Sequence, residues 1–299
     1  MSDAPQWTAA EPAPFAEVDT GALLLGADQL NVEEASRLLA LAPARLVVWM
    51  GERDSGKTTL TTQLYERQRR AGEDTRFAGS RTLLAFERLV HPGRAAPGRA
   101  LPRPRRTELD PDGREILHLA LDVGEDRVHL LLADLPGEVF RQLADNQLAT
   151  SGIPLLRRAD KLAVLVDGAR LCDHDTRASV LTRARQLVER LQTDALRHRS
   201  TELALVVTKW DRVGGDTSAL DYWQPREEQL LADVRALDPD APHFRVAAGA
   251  PAGYEHDDGV AALRSWLVAR GRARIDPPLP PYVWPDDAPA RLRRPWSLA

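Results

Sequence analysis

The chain has 299 residues, 43% of them hydrophobic and 28% charged, which is typical of a folded protein with a sizeable core. Its formal net charge of -4 excludes the strongly basic balance of proteins that bind nucleic acid through bulk charge, so no nucleic-acid partner is expected. A single cysteine excludes an internal disulfide framework, and no apolar run approaches the roughly eighteen residues of a membrane span, so no membrane partner is expected either.

Residues 1–25 are predicted to be a loose tail, rich in proline, alanine and acid, without the basic start and apolar core of a signal peptide. A cytoplasmic location is therefore expected, and the abundance of arginine, alanine, leucine and proline suggests a bacterial origin. A helix is predicted over residues 31–41, because Asn31 begins it and acidic residues fill its first turn. The run RLVVWMG is then predicted as a buried strand, and KTTLTTQLYERQRR as the next helix.

Residues 51–58, GERDSGKT, join that strand to that helix and fit the phosphate-binding loop pattern G-x-x-x-x-G-K-[ST]. In such a loop, backbone N–H groups and the positive end of the helix converge on phosphate oxygens. Lys57 would bridge the β- and γ-phosphates, and the Thr58 hydroxyl would bind Mg²⁺. A chance glycine-rich turn is the alternative. The expected nucleotide contacts are Gly51, Arg53, Asp54, Ser55, Gly56, Lys57, Thr58 and Thr59.

Strands and helices then alternate to the end of the domain, which predicts a three-layer α/β fold with a mostly parallel sheet. A helix, SRTLLAFERLVH, is inserted before the second predicted strand, EILHLALDV. VHLLLADL follows that strand through a hairpin and is expected to be the antiparallel exception. KLAVLVDGA, ELALVVTKW and HFRVAAGA are further predicted strands, each followed by a helix. We place the domain at residues 26–274 and a proline-rich tail at 275–299.

The segment DLPGE at residues 134–138 follows the predicted VHLLLADL strand. Asp134 would hold Mg²⁺ through a water molecule, and the Gly137 backbone N–H would contact the γ-phosphate. An ordinary Pro-Gly turn after a strand is the alternative. Glu138 follows Gly137 directly, and a carboxylate there could orient a water molecule, so Glu138 is a candidate catalytic residue. A salt bridge or a favourable charge at a helix N-terminus is the other interpretation of Glu138.

Residues 208–211, TKWD, fit the guanine-reading pattern [NT]-K-x-D. The Asp211 carboxylate can accept two hydrogen bonds from the ring N–H and amino group of guanine, whereas adenine offers no such pair of donors. Lys209, next to Thr208, would lay its apolar stem over the base. An aspartate that merely caps a helix is the alternative. Only three of the 40 basic residues are lysines, and two of them lie in the loop and in TKWD.

The ordered set GERDSGKT, DLPGE and TKWD resembles GTPases of the translation-factor-related class of P-loop proteins, over most of residues 45–270. The stretch RFAGSRTLLAFERL is similar to the bacterial double-GTPase family. The resemblance implies a Ras-like GTPase fold that binds GTP or GDP with Mg²⁺. It also implies a protein partner, which would be a second GTPase, an effector or a second copy of the chain, within a bacterial conflict or immunity gene cluster.

The resemblance also implies roles for less regular positions. Ala248 would contact guanine through its backbone N–H, and a first-switch threonine would reach Mg²⁺, for which Thr107 is preferred to Thr82. Residues 92–106 carry five arginines and four prolines, so they form either a solvated loop or a switch whose arginine stabilises transition-state charge. Asp54 is similar in position to residues of relatives that bind K⁺ and hydrolyse faster as dimers.

The expected function is that of an Mg²⁺-dependent protein that binds GTP, hydrolyses it slowly and acts as a two-state switch, with Lys57, Glu138 and Thr107 as the catalytic candidates. One rival is a scaffold that binds GTP without hydrolysing it. The resemblance favours this rival at one position, because Glu138 stands where many related proteins have a water-positioning glutamine. Another rival is an ATPase or kinase, in which Asp211 would be irrelevant to base choice.

Overall fold

The computed structural model describes residues 29–68, 75–94, 116–146, 153–193, 197–249 and 259–273. Both predicted tails, Thr107 and most of the arginine- and proline-rich segment lie outside these ranges. The domain bounds of 26–274 therefore stay a prediction.

Seven strands form one sheet in the order β2-β3-β4-β1-β5-β6-β7. β1 lies in the middle and pairs in parallel with both β4 and β5, and β6 and β7 continue the parallel pairing outward. The strands are β1 (Ala44–Met50), β2 (Thr75–Gly79), β3 (Ile116–Val123), β4 (Asp126–Ala133), β5 (Lys161–Asp167), β6 (Glu202–Thr208) and β7 (His243–Val246).

The predicted hairpin is β3–β4, and Gly124 takes a left-handed φ of 62° in its turn. The expectation that VHLLLADL (β4) is the antiparallel exception is wrong. β4 runs parallel to β1, and β3 is the strand that opposes its neighbours on both sides. A hairpin pattern fixes only the relative direction of two strands, and pairing with β1 decides which of them is reversed.

Ten helices are present in the described residues. None of them is long and apolar enough to cross a membrane. The helices are α1 (Val32–Leu41), α2 (Lys57–Gln68), α3 (Leu83–Arg94), α4 (Gly137–Ala144), α5 (Pro154–Arg158), α6 (Gly168–Cys172), α7 (Arg177–Thr193), α8 (Trp210–Gly214), α9 (Thr217–Leu237) and α10 (Val260–Val268).

The helix starts follow from capping. The Asn31 side chain accepts from the Glu34 N–H at 2.9 Å and the Glu34 carboxylate accepts from the Asn31 N–H at 2.9 Å, which confirms the predicted start of α1. α9 begins well before the predicted REEQLLADVRAL, because Asp216 caps it by accepting from the Ala219 N–H at 3.0 Å. The helix then continues through Pro225.

The core has two sides, as a three-layer fold requires. Along β1, Leu46, Val48 and Met50 face one cluster, and Val47 and Trp49 face the other. Helices α1 and α4 to α9 cover the first face, and α2, α3 and α10 cover the second. The three-layer α/β architecture with a mostly parallel sheet and an inserted helix is therefore confirmed.

Candidate functional site

The carboxyl ends of β1, β4, β5, β6 and β7 meet at one edge of the sheet, since these strands share one direction. The segments that leave those ends carry almost all the predicted site residues. In sheets of this kind, ligands bind at this edge, where connections leave neighbouring strands toward opposite faces. Here α2 leaves β1 on one face and α4 leaves β4 on the other.

The phosphate loop owes its path to two glycines that act differently. Gly56 has a φ of 92°, which only glycine adopts without strain. Gly51 is required for space rather than for a positive φ, because an added Cβ would lie 2.5 Å from Ser55 Oγ. Asp54 has a φ of 63°, a left-handed conformation that aspartate tolerates better than most residues.

Lys57 lies at the centre of the loop and is only 8% exposed. Its ammonium donates to the carbonyl oxygens of Gly51 and Glu52, both at 2.8 Å. Burial lowers the pKa of Lys57 to about 8, although the carboxylates of Asp134 and Glu138 oppose the shift. The side chain therefore remains mainly protonated at neutral pH and forms a cation enclosed by the loop.

Thr58 and Asp134 come together beside Lys57. The Thr58 hydroxyl lies 3.5 Å from Asp134 Oδ2, and the Asp134 side chain is buried. Hydroxyl and carboxylate oxygens are the donors that Mg²⁺ prefers, so this pair fits the ion. Thr59, the next residue of α2, is half-buried, and its carbonyl accepts from the Thr62 hydroxyl at 3.0 Å.

The DLPGE segment packs directly on the loop. A Cβ added to Gly137 would lie 2.1 Å from the Arg53 nitrogen and 2.5 Å from the Glu52 carbonyl carbon, so no larger residue fits without moving the backbone. Glu138 is exposed in the first turn of α4, and its negative charge partly opposes the lowering of the Lys57 pKa by burial. A movement of the loop backbone at Glu52 or Arg53 would therefore displace the start of α4.

TKWD is hydrogen-bonded to the same loop on its other side. The Thr208 hydroxyl donates to the Ser55 carbonyl at 2.8 Å, and Lys209 Nζ donates to the Asp54 carbonyl at 2.6 Å. Lys209 itself has a φ of 52°. These two bonds join segments that are more than 150 positions apart in the chain, so the two predicted motifs, GERDSGKT and TKWD, lie together in one site.

Asp167 and Gly168 belong to this site and were not predicted. The buried Asp167 carboxylate lies 2.8 Å from Lys209 Nζ, and its other oxygen accepts from the Ala169 N–H at 3.0 Å. A Cβ added to Gly168 would lie 2.4 Å from the Thr208 carbonyl oxygen. The only sequence signal was an Asp-Gly pair at the end of KLAVLVDGA, where a carboxylate reaches the same edge of the sheet.

Asp211 and Ala248 lie on the far side of the site. Asp211 is in the first turn of α8 and its side chain is 17% exposed, so it is accessible yet sheltered. Ala248 is half-buried just after β7, which pairs with β6 up to Thr208. The structure therefore brings both residues to the edge that carries the loop.

The Glu52 side chain, on the outer side of the loop, forms ion pairs that the sequence did not predict. Arg170 Nη1 lies 2.8 Å from a Glu52 carboxylate oxygen, and Arg183 Nε lies 3.6 Å from the other. Arg183 also pairs with Asp145, which ends α4. Arg53 is exposed, with its Nε 3.9 Å from the Asp54 carboxylate.

Thr82 takes no part in this site. It is fully buried, and its hydroxyl accepts from the His118 N–H at 2.9 Å. His118 Nδ1 accepts from the Arg81 N–H at 2.8 Å, which puts the ring proton on Nε2, 2.9 Å from His129 Nδ1. Burial lowers the pKa of His118 to about 3, so its imidazole ring is uncharged at neutral pH and the contacts of Thr82 here are structural. Thr107, the preferred switch threonine, lies outside the described residues.

Comparison with known families agrees with this geometry. The family model described as Double-GTPase 2 matches residues 45–267, well over half of the chain. No curated protein matches the chain. The matched range runs from β1 into α10 and so contains the loop, DLPGE, TKWD and Ala248.

Proposed function

Because the chain belongs to the Double-GTPase 2 family, for which GTP and GDP are the implied ligands, we propose that it hydrolyses GTP with Mg²⁺ and acts as a nucleotide-controlled switch. The observation that carries the proposal is the attachment of TKWD to the phosphate loop. Because Thr208 and Lys209 bind the carbonyls of Ser55 and Asp54, a base at Asp211 and phosphates at Lys57 belong to one ligand.

In the proposed mechanism, Lys57 and the backbone N–H groups of the loop bind the β- and γ-phosphates. Thr58 and Asp134 would hold Mg²⁺, with Thr107 as the switch ligand, and the ion would neutralise charge that develops on the phosphates. Glu138 would orient the attacking water from the start of α4. Catalysis then depends on placing the water in line with the γ-phosphate, because phosphoryl transfer requires little other chemistry.

The proposed switch acts through Gly137. Its tight packing on Glu52 and Arg53 supports a coupling in which a γ-phosphate held by the loop fixes the start of α4, and phosphate release frees it. Arg183 touches Glu52 and Asp145, so it links the loop to the other end of α4. We extend the proposal to a protein partner, either a second GTPase, an effector or a second copy of this chain, in a bacterial conflict system.

A second candidate function is that of a GTP-binding scaffold without hydrolysis. It is favoured by the exposed carboxylate of Glu138 next to the phosphate site, because a negative charge there is repelled by a triphosphate. In that case nucleotide would only hold the loop and α4 in one arrangement for a partner.

Phosphate release by the purified protein decides between these functions. We expect release from GTP in the presence of Mg²⁺, none from ATP, and loss of release when EDTA removes the metal, because the ion that Thr58 and Asp134 would hold supplies positive charge that neither side chain can supply. Bound nucleotide is measured in parallel by chromatography of the denatured protein. Bound GTP that stays intact over many hours would establish the scaffold, and a preference for ATP would exclude both functions.

We also expect phosphate release to be faster in KCl than in NaCl at equal ionic strength. Asp54 projects from the loop with its side chain 76% exposed, and a carboxylate there can complete the oxygen shell of a K⁺ ion at the phosphates. Asp54→Ala is expected to abolish the difference between the two salts. Equal rates in both salts for the unmodified protein would remove K⁺ from the mechanism.

A further inference from the structure

One arginine outside every predicted motif contacts the middle of TKWD. The Arg245 guanidinium carbon lies 4.5 Å from the ring centroid of Trp210, the residue between Lys209 and Asp211. Trp210 is half-buried and packs against the core that α9 covers. A cation over an indole face is a favourable contact, so Arg245 restrains the first residue of α8.

Arg245 is in turn oriented by Glu227 on α9. Its Nε donates to Glu227 Oε1 at 3.1 Å and its Nη2 donates to Oε2 at 2.7 Å, a two-point contact that fixes the plane of the guanidinium. Burial favours the neutral acid, but His243 and Arg245 beside it outweigh that effect and lower the pKa of Glu227 to about 2. The carboxylate is therefore charged at any physiological pH.

The backbone of Arg245 belongs to the segment that leads to Ala248 and lies against Gly259, where the next described segment begins. β7 ends one residue later and leads to Ala248, which precedes the undescribed residues 250–258. Where the chain returns, Gly259 lies so close that an added Cβ would be 2.1 Å from the Arg245 carbonyl oxygen. Arg245 thus contacts the TKWD segment with its side chain and Gly259 with its carbonyl group, and it lies on the strand that leads to Ala248.

We propose that Arg245, oriented by Glu227, is a positioning residue for guanine recognition, an inference that rests on the proposed function. Asp211 reads guanine only when both carboxylate oxygens line up with the ring N–H and the amino group. α8 has five residues and cannot hold that alignment alone. Arg245 sets the orientation of Asp211 through Trp210 and makes no contact with the base.

The test compares GTP with ITP, which lacks the amino group that guanine offers to Asp211. Dissociation constants for both nucleotides are measured by competition. The constant for ITP divided by the constant for GTP is the preference ratio, and it reports the alignment of Asp211. Glu227→Gln is expected to lower the preference for GTP over ITP by about 3- to 10-fold, the range of a weakened cation–π contact. Most of the change is expected in the GTP constant, because ITP does not use the amino contact.

Two further variants separate positioning from loss of structure. Arg245→Lys keeps the positive charge but loses the two-point contact of the guanidinium with Glu227, so it is expected to reduce the preference ratio. Because the side chain is half-exposed, this variant is expected to fold even if Glu227→Gln does not. Arg226→Lys is the matched control: Arg226 stacks on Tyr222 of the same helix, at 3.9 Å, and should leave the ratio unchanged.

The outcomes are distinct. A general loss of stability lowers the binding of GTP and ITP equally and leaves their ratio constant. An unchanged ratio in folded Arg245→Lys protein would overturn the positioning role. Failure of the unmodified protein to prefer GTP over ATP would instead count against guanine binding itself, and so against the proposed function.

Discussion

Lys57→Ala is expected to weaken GTP binding by about 100-fold or more and to abolish phosphate release. Lys57 is the single buried cation inside the described loop, and a phosphate would replace the carbonyls of Gly51 and Glu52 as its partner. Hydrogen bonds to charged groups contribute about 1.5–3 kcal/mol each, and two of them would be lost. Phosphate release with saturating Mg²⁺·GTP and equilibrium binding of a fluorescent GTP analogue measure the two effects.

Stability provides the control for this variant. Burial lowers the pKa of Lys57 from 10.5 to about 8. The charged ammonium is therefore less favourable in the folded state than in the unfolded state at neutral pH. Removing the charge is therefore not expected to lower the thermal midpoint by an electrostatic route. Arg37→Ala, which removes an exposed ion pair on α1, should leave binding and hydrolysis unchanged. Phosphate release by Lys57→Ala at the normal rate would contradict the enzyme assignment.

The loop, DLPGE and TKWD were predictable because each is a short pattern that follows a buried strand. Strand direction then brings them to one edge of the sheet. The alternation of strands and helices predicts this step for the loop and TKWD, but not for DLPGE, because it depends on β4 running parallel to β1. Their mutual contacts were not predictable. The bond from Thr208 to Ser55 depends on how the end of β6 lies against the loop, which no local window of sequence contains.

Other features were missed for similar reasons. β2 has five residues at an edge position, and its pairing with β3 is continued by the Ser80 hydroxyl, which donates to the His118 carbonyl at 2.6 Å. The scarcity of lysine pointed to the motifs, yet the third lysine, Lys161, is a buried partner of Glu202 at 2.5 Å. The rarity of lysine in this chain therefore marks positions with specific requirements, and at Lys161 the requirement is a buried ion pair in the fold rather than a ligand contact.

The second large effect is expected for Asp211→Asn, which should weaken GTP binding by about 100-fold and create binding of XTP. The carboxylate accepts two hydrogen bonds from guanine, whereas an amide presents one donor and one acceptor, so it matches the carbonyl and ring N–H of xanthine. No hydrogen bond joins the Asp211 side chain to the described phosphate loop, and Arg212, with which it forms an ion pair at 3.9 Å, is mostly exposed. The variant is therefore expected to change the base contact alone.

Competition of GTP, XTP and ATP for one fluorescent nucleotide checks this expectation. Asp211→Ala should lose GTP without gaining XTP, and Asp221→Asn, on the exposed side of α9, should resemble the unmodified protein. Since Lys209 and Thr208 still hold the loop, XTP bound to Asp211→Asn should be hydrolysed at nearly the rate of GTP in the unmodified protein. An unchanged nucleotide preference would mean that the base lies elsewhere, and the ATPase or kinase interpretation would then replace guanine recognition.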